Sequence, residues 1–206
     1  MKPQALLSGV AALVLIVAGG GIALANNTGP ASLTPARVDN FRLTDNQGFA
    51  QDLKRLVDVK AIALVTSVAG DKGSQHAAKI LEGLKSQHPD VAFLMLNSSA
   101  KTRGEVAAEA ARLGVTMPVL HDELQLAGEQ LGVTYAGEAF LIEPKTLRIL
   151  YHGPVDGSAA ATSAKGYLKE ALSDVLAGRA VATANVVGKG TPINFVDRGR
   201  RAQHAK

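Results

Sequence analysis

The chain has 206 residues, 47% of them hydrophobic, which is enough to bury the core of one ordinary domain. It contains no cysteine, so disulfides, thiolate nucleophiles and cysteine-ligated metal centres are excluded. The net charge of +4 arises near the carboxyl terminus, because residues 1–188 carry 17 basic and 17 acidic side chains while residues 189–206 carry five basic and one acidic.

The amino-terminal segment 5–25 is uncharged over 21 residues and follows a single positive charge at Lys2. A helix of that length can cross a bilayer, whereas the Ala-x-Ala pattern that ends at Ala25 is typical of a signal-peptidase site. We therefore expect either a single-pass inner-membrane anchor or a signal peptide cleaved after Ala25. In both cases the positive-inside bias places the following domain in the periplasm. Residues 26–37 are predicted to be a linker.

Residues 38–180 alternate between strand and helix patterns. Apolar runs predict strands at VDNFRLTD (38–45), KAIALVTS (60–67), VAFLMLNSS (91–99) and MPVLHD (117–122), followed by a hairpin in 134–153. Helical spacing of apolar residues predicts helices at 49–57, 74–87, 102–114, 123–132 and 164–179. This order predicts an α/β domain with a mixed sheet covered by helices on both faces. Residues 181–206 are predicted to form an extended basic tail, disordered over 189–206.

Several phrases in this domain together resemble the thioredoxin-like fold. Within it they resemble the redoxin branch, which includes alkyl hydroperoxide reductase and thiol-specific antioxidant proteins. The phrases are NFRLTDNQG (40–48), KAIALVTS (60–67), VAFLMLNSS (91–99), LGVTMPVLHD (113–122), EAFLIEP (138–144) and LRILYHGPVDG (147–157). The resemblance implies a thioredoxin-like sheet with a redox site at the turn that follows the strand 60–67.

The chain departs from the redoxin pattern at three places. The resemblance puts the attacking cysteine of redoxins near Asp71 and Lys72, and the cis-proline at Gly137. It also puts the late cysteine of some periplasmic relatives near Thr191. We call these four residues the former redox site. Losses at all three places predict a member of the fold that is not an enzyme and carries no cofactor.

Other chemistry finds little support in the sequence. Asp71 and Lys72 precede a helix, where they would bind an anion or, more simply, where Asp71 or Ser74 would cap that helix. No metal site is predicted, and the nearest candidates, His121 and His152, are expected at the surface or at strand ends. The sequence contains no nucleophile elbow, and its one Gly-Lys-Gly lacks a following helix, so hydrolase and nucleotide-binding functions are not expected.

The leading functional hypothesis is an accessory or assembly subunit of a larger membrane complex, anchored through residues 5–25. Its partners would be other protein subunits. Arg198, Arg200 and Arg201 are candidates for contact with an acidic partner or with anionic lipid, and nucleic acid is not expected for an exported chain. The alternative is a periplasmic protein that handles a small ligand or metal at the former redox site. A residual, thiol-independent oxidoreductase is a third hypothesis.

Overall fold

The structure, a computed structural model, describes residues 36–158 and 165–197. The predicted anchor 5–25, most of the predicted linker and the three tail arginines lie outside these residues. Within the described ranges, no helix is long and apolar enough to span a bilayer. The strands are β1 (Arg42–Asp45), β2 (Ala50–Asp52), β3 (Ala61–Ser67), β4 (Val91–Asn97), β5 (Val119–His121), β6 (Glu138–Ile142) and β7 (Ile149–Pro154). The helices are α1 (Lys72–Gln87), α2 (Arg103–Leu113), α3 (Leu126–Leu131) and α4 (Tyr167–Leu176).

The seven strands form one sheet in the order β2-β1-β5-β4-β3-β6-β7. β3, β4 and β5 are parallel, and the connections between them contain α1 and α2. The remaining pairs of neighbouring strands are antiparallel. β3 is buried along its whole length, as expected for an apolar run in the middle of a sheet. The predicted mixed α/β sheet is confirmed.

Side chains alternate between two cores along the central strands. Ala61, Ala63 and Val65 of β3 face the first core, which also contains apolar residues of α1, α2 and α4. Ile62 and Leu64 face the second core, where α3 is the only α-helix that contributes buried residues among those described. Because α3 has only six residues, other segments must cover the rest of this second face.

The predicted helix at 49–57 is wrong. The chain instead forms β2, followed by a 3-10 helix at Leu53–Arg55. The Asp45 carboxylate accepts the backbone N–H groups of Gln47 and Phe49, each at 2.9 Å, and this closes a tight turn that returns the chain onto β1. As a result Phe49, which the helical pattern would bury, is 64% exposed. Turn chemistry outweighs the helical spacing here.

Residues 184–196, which we call the strap, pack against both cores: Val186 contacts the first core, whereas Ile193 and Phe195 contact the second. The strap forms a bridge to His152 of β7 and another to Tyr135, and its far end bonds the side-chain amide of Gln125. Ile193 of the strap is 7% exposed and belongs to the second core. The prediction of a disordered tail is therefore wrong for the part before residue 197, because an apolar anchor and backbone pairing hold it to the domain.

Glu82 connects α1 to the loop that precedes β5. Its carboxylate accepts the backbone N–H groups of Thr116 at 2.5 Å and Met117 at 3.1 Å. Burial opposes ionisation, but these hydrogen bonds and the charge of Lys85 outweigh it and hold the pKa of Glu82 below its ordinary value of 4.5. Ionised Glu82 therefore stabilises the fold.

This lowered pKa predicts a loss of stability in acid. Because the folded pKa lies below the unfolded one, the contribution of Glu82 is complete above pH 4.5 and is lost as the pH falls through the folded pKa. We expect Glu82→Gln to lower the free energy of unfolding by about 1 kcal/mol at pH 7, with the difference shrinking towards pH 3. Urea unfolding at several pH values measures it. Asp39→Asn, at an exposed position, is the control and should change the free energy of unfolding by less than about 0.5 kcal/mol at pH 7.

Candidate functional site

Asp71 ends the turn that follows β3 and caps α1. One oxygen of its carboxylate accepts the backbone N–H of Ser74 at 2.7 Å and the Ser74 hydroxyl at 3.0 Å. The other oxygen accepts the hydroxyl of Thr191 in the strap. The Ser74 hydroxyl in turn accepts the backbone N–H of Val68 at 2.9 Å. The predicted capping role of Asp71 is therefore confirmed, and both of its oxygens have partners.

Gly137 lies beside the first turn of α1, immediately before β6. Its φ of +87° favours glycine, and its N–H donates to the carbonyl of Thr66 at 2.9 Å. A Cβ placed on Gly137 would lie 3.7 Å from the carbonyl oxygen of Gly73, so this loop and α1 are neighbours. None of the described peptide bonds is cis. The position of the expected cis-proline is thus a glycine turn that packs on the helix start.

The strap passes over this junction. The Ala136 N–H donates to the Thr191 carbonyl at 2.9 Å, and the Ile193 N–H donates to the Thr134 carbonyl at 3.1 Å. The contact is close, because a Cβ on Gly190 would lie 2.7 Å from the carbonyl oxygen of Ala136. Three residues of the former redox site, at positions 71, 137 and 191, are therefore brought together. The fourth, Lys72, is exposed and forms no ion pair with another described residue.

A side chain of α2 bonds the turn between β3 and α1, and the cavity beneath this turn is small. Glu109 accepts the backbone N–H of Gly70 and the side-chain amide of Gln75, each at 3.2 Å, while pairing with Arg112. The Arg112 hydrogen bond is the main cause that holds the pKa of Glu109 below its ordinary value. The cavity under the turn has a volume of about 30 Å³ and is mostly apolar. That volume suits about one water molecule and excludes an organic ligand.

A buried carboxylate that forms several hydrogen bonds, absent from the sequence predictions, lies next to the former redox site. Glu138 begins β6, and its carboxylate accepts the N–H groups of Thr134 at 2.7 Å and Tyr135 at 3.3 Å. It also bonds Nε2 of His152 at 2.5 Å, and the two side chains are only 2% and 12% exposed. The imidazole stacks on Phe140, with ring centroids 4.8 Å apart. The expectation that His152 lies at the surface or at a strand end is wrong, since it lies within β7 and its side chain is largely buried against Glu138.

One signal in the sequence pointed to this pair. Glu138 is the only charged residue between Tyr135 and Ile142, a stretch that is otherwise apolar or small. A carboxylate in a buried strand needs a partner, and His152 lies on the other strand of the predicted hairpin. The spacing alone does not pair the two, because the register places His152 opposite Phe140 and not opposite Glu138.

His121, the other metal candidate, is separate from this junction. It ends β5, which β4 separates from β3, and its Nε2 bonds the backbone carbonyl of Lys101 at 2.8 Å. The neighbouring Asp122 is buried and bonds the hydroxyl of Ser98 at 2.7 Å. Over the described ranges, no group of three or more histidine, aspartate or glutamate side chains is arranged to hold a metal ion.

No family model and no curated protein sequence matches the chain. Solved structures do match. A hypothetical protein from Sinorhizobium meliloti aligns at 22% identity over 81% of this chain and 96% of its own, with a TM-score of 0.70. An uncharacterized conserved protein from Geobacillus kaustophilus aligns at 19% identity over 82% of this chain and 95% of its own, with a TM-score of 0.72.

The peroxidoxin BcpB of Mycobacterium tuberculosis aligns at 18% identity over 71% of this chain and 97% of its own, with a TM-score of 0.54. Identities at this level establish a common fold and leave activity open. The strand order, the junction around Asp71 and Gly137, and these matches agree with the resemblance seen in the sequence. The chain has a thioredoxin-like fold that contains no cysteine.

Proposed function

We propose that this chain is a non-catalytic thioredoxin-fold module that serves as an accessory or assembly subunit of a larger membrane complex. In this proposal residues 5–25 hold it at the inner membrane, and the domain faces the periplasm. Its partners are the other protein subunits of the complex. Cleavage after Ala25 would release the same domain into the periplasm.

The observation that carries the proposal is the state of Asp71. It lies near the position at which the resemblance puts the attacking cysteine, and its two carboxylate oxygens accept hydrogen bonds from Ser74 and from Thr191. Thiol–disulfide exchange requires a thiolate, and the chain has none. The domain keeps its sheet and helices, whereas the residue at its former reactive position caps a helix. Its surfaces therefore remain available for binding. Binding to other proteins is therefore the use we propose.

Handling of a small ligand or metal at the former redox site has less support. The strap crosses the site, the cavity beneath the turn is about 30 Å³, and Asp71 has no free oxygen. A residual oxidoreductase would need an electron carrier that is not a cysteine. Peroxide turnover by the pure protein above the buffer rate would contradict the non-catalytic proposal.

In this proposal the positive charge of the carboxyl-terminal tail strengthens the association with the membrane or with an acidic partner. Arg198, Arg200 and Arg201 follow directly after the last described residue, Asp197. Each basic residue near an anionic surface contributes about 1 kcal/mol, so the three would add to the hold of the anchor or to the contact with an acidic partner. Replacing all three by glutamine should weaken that association without changing the unfolding of the domain.

Purification of the tagged, full-length chain from its native membranes tests the proposal. After solubilisation in two mild detergents, we expect it to elute with other protein subunits in a fixed ratio. A version whose segment 5–25 is replaced by a cleavable signal peptide is the control, and should appear in the soluble periplasmic fraction. Recovery as a lone monomer in both detergents would contradict the proposal. A mass that begins at Asn26 would remove the anchor and leave the role as a subunit to be judged by co-elution.

A further inference from the structure

A cleft on the β1 side of the sheet is far larger than the cavity at the former redox site. It lies between β1, the start of α2 and the start of α3, and we call it the β1–α3 cleft. Its volume is about 690 Å³, and none of its lining residues borders the cavity under the Asp71 turn. Clefts of about 300–1,000 Å³ accommodate ligands or several side chains of a partner.

Large apolar side chains at this cleft face solvent. Leu124 is 66% exposed and Leu126 is 54% exposed, while Phe41 and Leu43 are half-buried at the edge of the second core. Burying a leucine side chain is worth about 1.5–3 kcal/mol, so a partner that covers these residues recovers free energy that folding leaves unused.

The exposure of the two leucines is imposed by the residue between them. Gln125 is buried and adopts a left-handed backbone with φ of +56°. Its side-chain amide donates to the carbonyls of Ser98 at 2.7 Å and Asn194 at 3.0 Å and accepts the N–H of Val196 at 2.7 Å. With Gln125 fixed in the interior, its neighbours are held outward, so the cleft is preformed.

The cleft also carries positive charge that the fold does not use. Arg42 and Arg103 both line it, both are exposed, and neither forms an ion pair with another described residue. Asp122 cannot neutralise them, since its carboxylate bonds the Ser98 hydroxyl and the Gly128 N–H inside the domain. Among the lining residues this leaves Glu123 as the one exposed carboxylate.

We propose that the β1–α3 cleft docks a segment of a partner protein in which aspartate or glutamate residues flank a large apolar side chain. The apolar side chain would pack on Leu124, Leu126 and Phe41, and the carboxylates would bond Arg42 and Arg103. Charge-assisted bonds between arginine and carboxylate give such a contact its register. A concave cleft with Glu123 at its rim fits one projecting segment better than a flat anionic surface. The inference rests on the proposed function and names the surface that would serve it.

Site-directed photocrosslinking in the native membrane tests this. The full chain carries a benzoyl-phenylalanine in place of Leu124 and, as the matched control, in place of Val187, which is 91% exposed on the strap. After irradiation and digestion, mass spectrometry identifies the crosslinked peptide. We expect position 124 to crosslink to a segment of another protein in which acidic residues flank the crosslinked apolar residue. Position 187 should give no such product.

Charge reversal supplies the second arm. Arg42→Glu combined with Arg103→Glu should lower the crosslink yield at position 124 by about tenfold or more, whereas Lys72→Glu, at the exposed residue of the former redox site, should leave it unchanged. An unaltered urea midpoint verifies that the variants fold. Crosslinks only to lipid or only to a second copy of the chain would overturn the inference. The absence of any product, or a crosslink yield at position 124 that is unchanged in the double arginine variant, would overturn it as well. A complex that still co-purifies in those cases would leave the proposed function standing.

Discussion

Replacing Glu138 by alanine is expected to lower the free energy of unfolding by about 3–5 kcal/mol, because several buried polar groups lose a hydrogen-bond acceptor at a cost of about 1–3 kcal/mol each. The substitution leaves the N–H groups of Thr134 and Tyr135 without their carboxylate acceptor and removes the bond to Nε2 of His152, all next to the second core. Urea unfolding at neutral pH measures the change.

Two further variants make this prediction specific. Glu138→Gln keeps an acceptor for the two N–H groups and a polar contact with His152, so it should cost about 1–2 kcal/mol, well below the alanine variant. Glu123→Ala, at an exposed carboxylate, should change the free energy by less than about 0.5 kcal/mol. An alanine variant at 138 that unfolds within 1 kcal/mol of the wild type would show that the buried pair does not hold the β6 loop.

A substitution that detaches the strap should lower the free energy of unfolding by a similar amount. Ile193→Ala removes the apolar anchor of the strap from the second core and is expected to lower the free energy of unfolding by about 2–4 kcal/mol. It should also speed hydrogen exchange at the Ala136 amide, which donates to the Thr191 carbonyl, and at the Ile193 amide, which donates to the Thr134 carbonyl. Equilibrium unfolding and amide exchange measured by NMR give the two readouts.

A pair of glycine variants isolates the close approach of the strap. In Gly190→Ala the new Cβ would lie 2.7 Å from the carbonyl oxygen of Ala136, so the strap must shift and stability should fall by about 1–3 kcal/mol. In Gly83→Ala, within α1, a Cβ meets no atom within 4 Å, so the better helix propensity should raise stability by up to about 1 kcal/mol. Equal effects from the two variants would mean that the strap does not rest on the Ala136 loop.

The sequence best predicted those elements whose own pattern of apolar residues indicates that they are buried. The apolar run of β3 and the regular spacing in α1 need no knowledge of their neighbours, and both were predicted within two residues of their observed limits. β2 was missed because its hairpin depends on side-chain bonds from Asp45 to the turn, which override the helical spacing of Phe49 and Leu53.

Features made by distant contacts were harder to predict. The strap is interrupted by Gly188, Gly190 and Pro192, so it shows no regular strand or helix pattern. Only the insufficient cover that α3 gives to the second core explains why Ile193 is buried. The pairing of Glu138 with His152 depends on a register that the sequence does not specify. The former redox site was located through its resemblance to redoxins, whereas the bond between Asp71 and Thr191, 120 residues apart, became visible only in the structure.

We propose that this thioredoxin-like domain works by binding other proteins and not through chemistry at its former redox site. Native mass spectrometry of the intact chain, released from its own membranes in detergent micelles, distinguishes the two. We expect a particle that contains the chain together with other protein subunits in a fixed ratio, and no small-molecule or metal adduct on the chain. A chain that appears alone, or alone with a bound small molecule or metal ion, would contradict it.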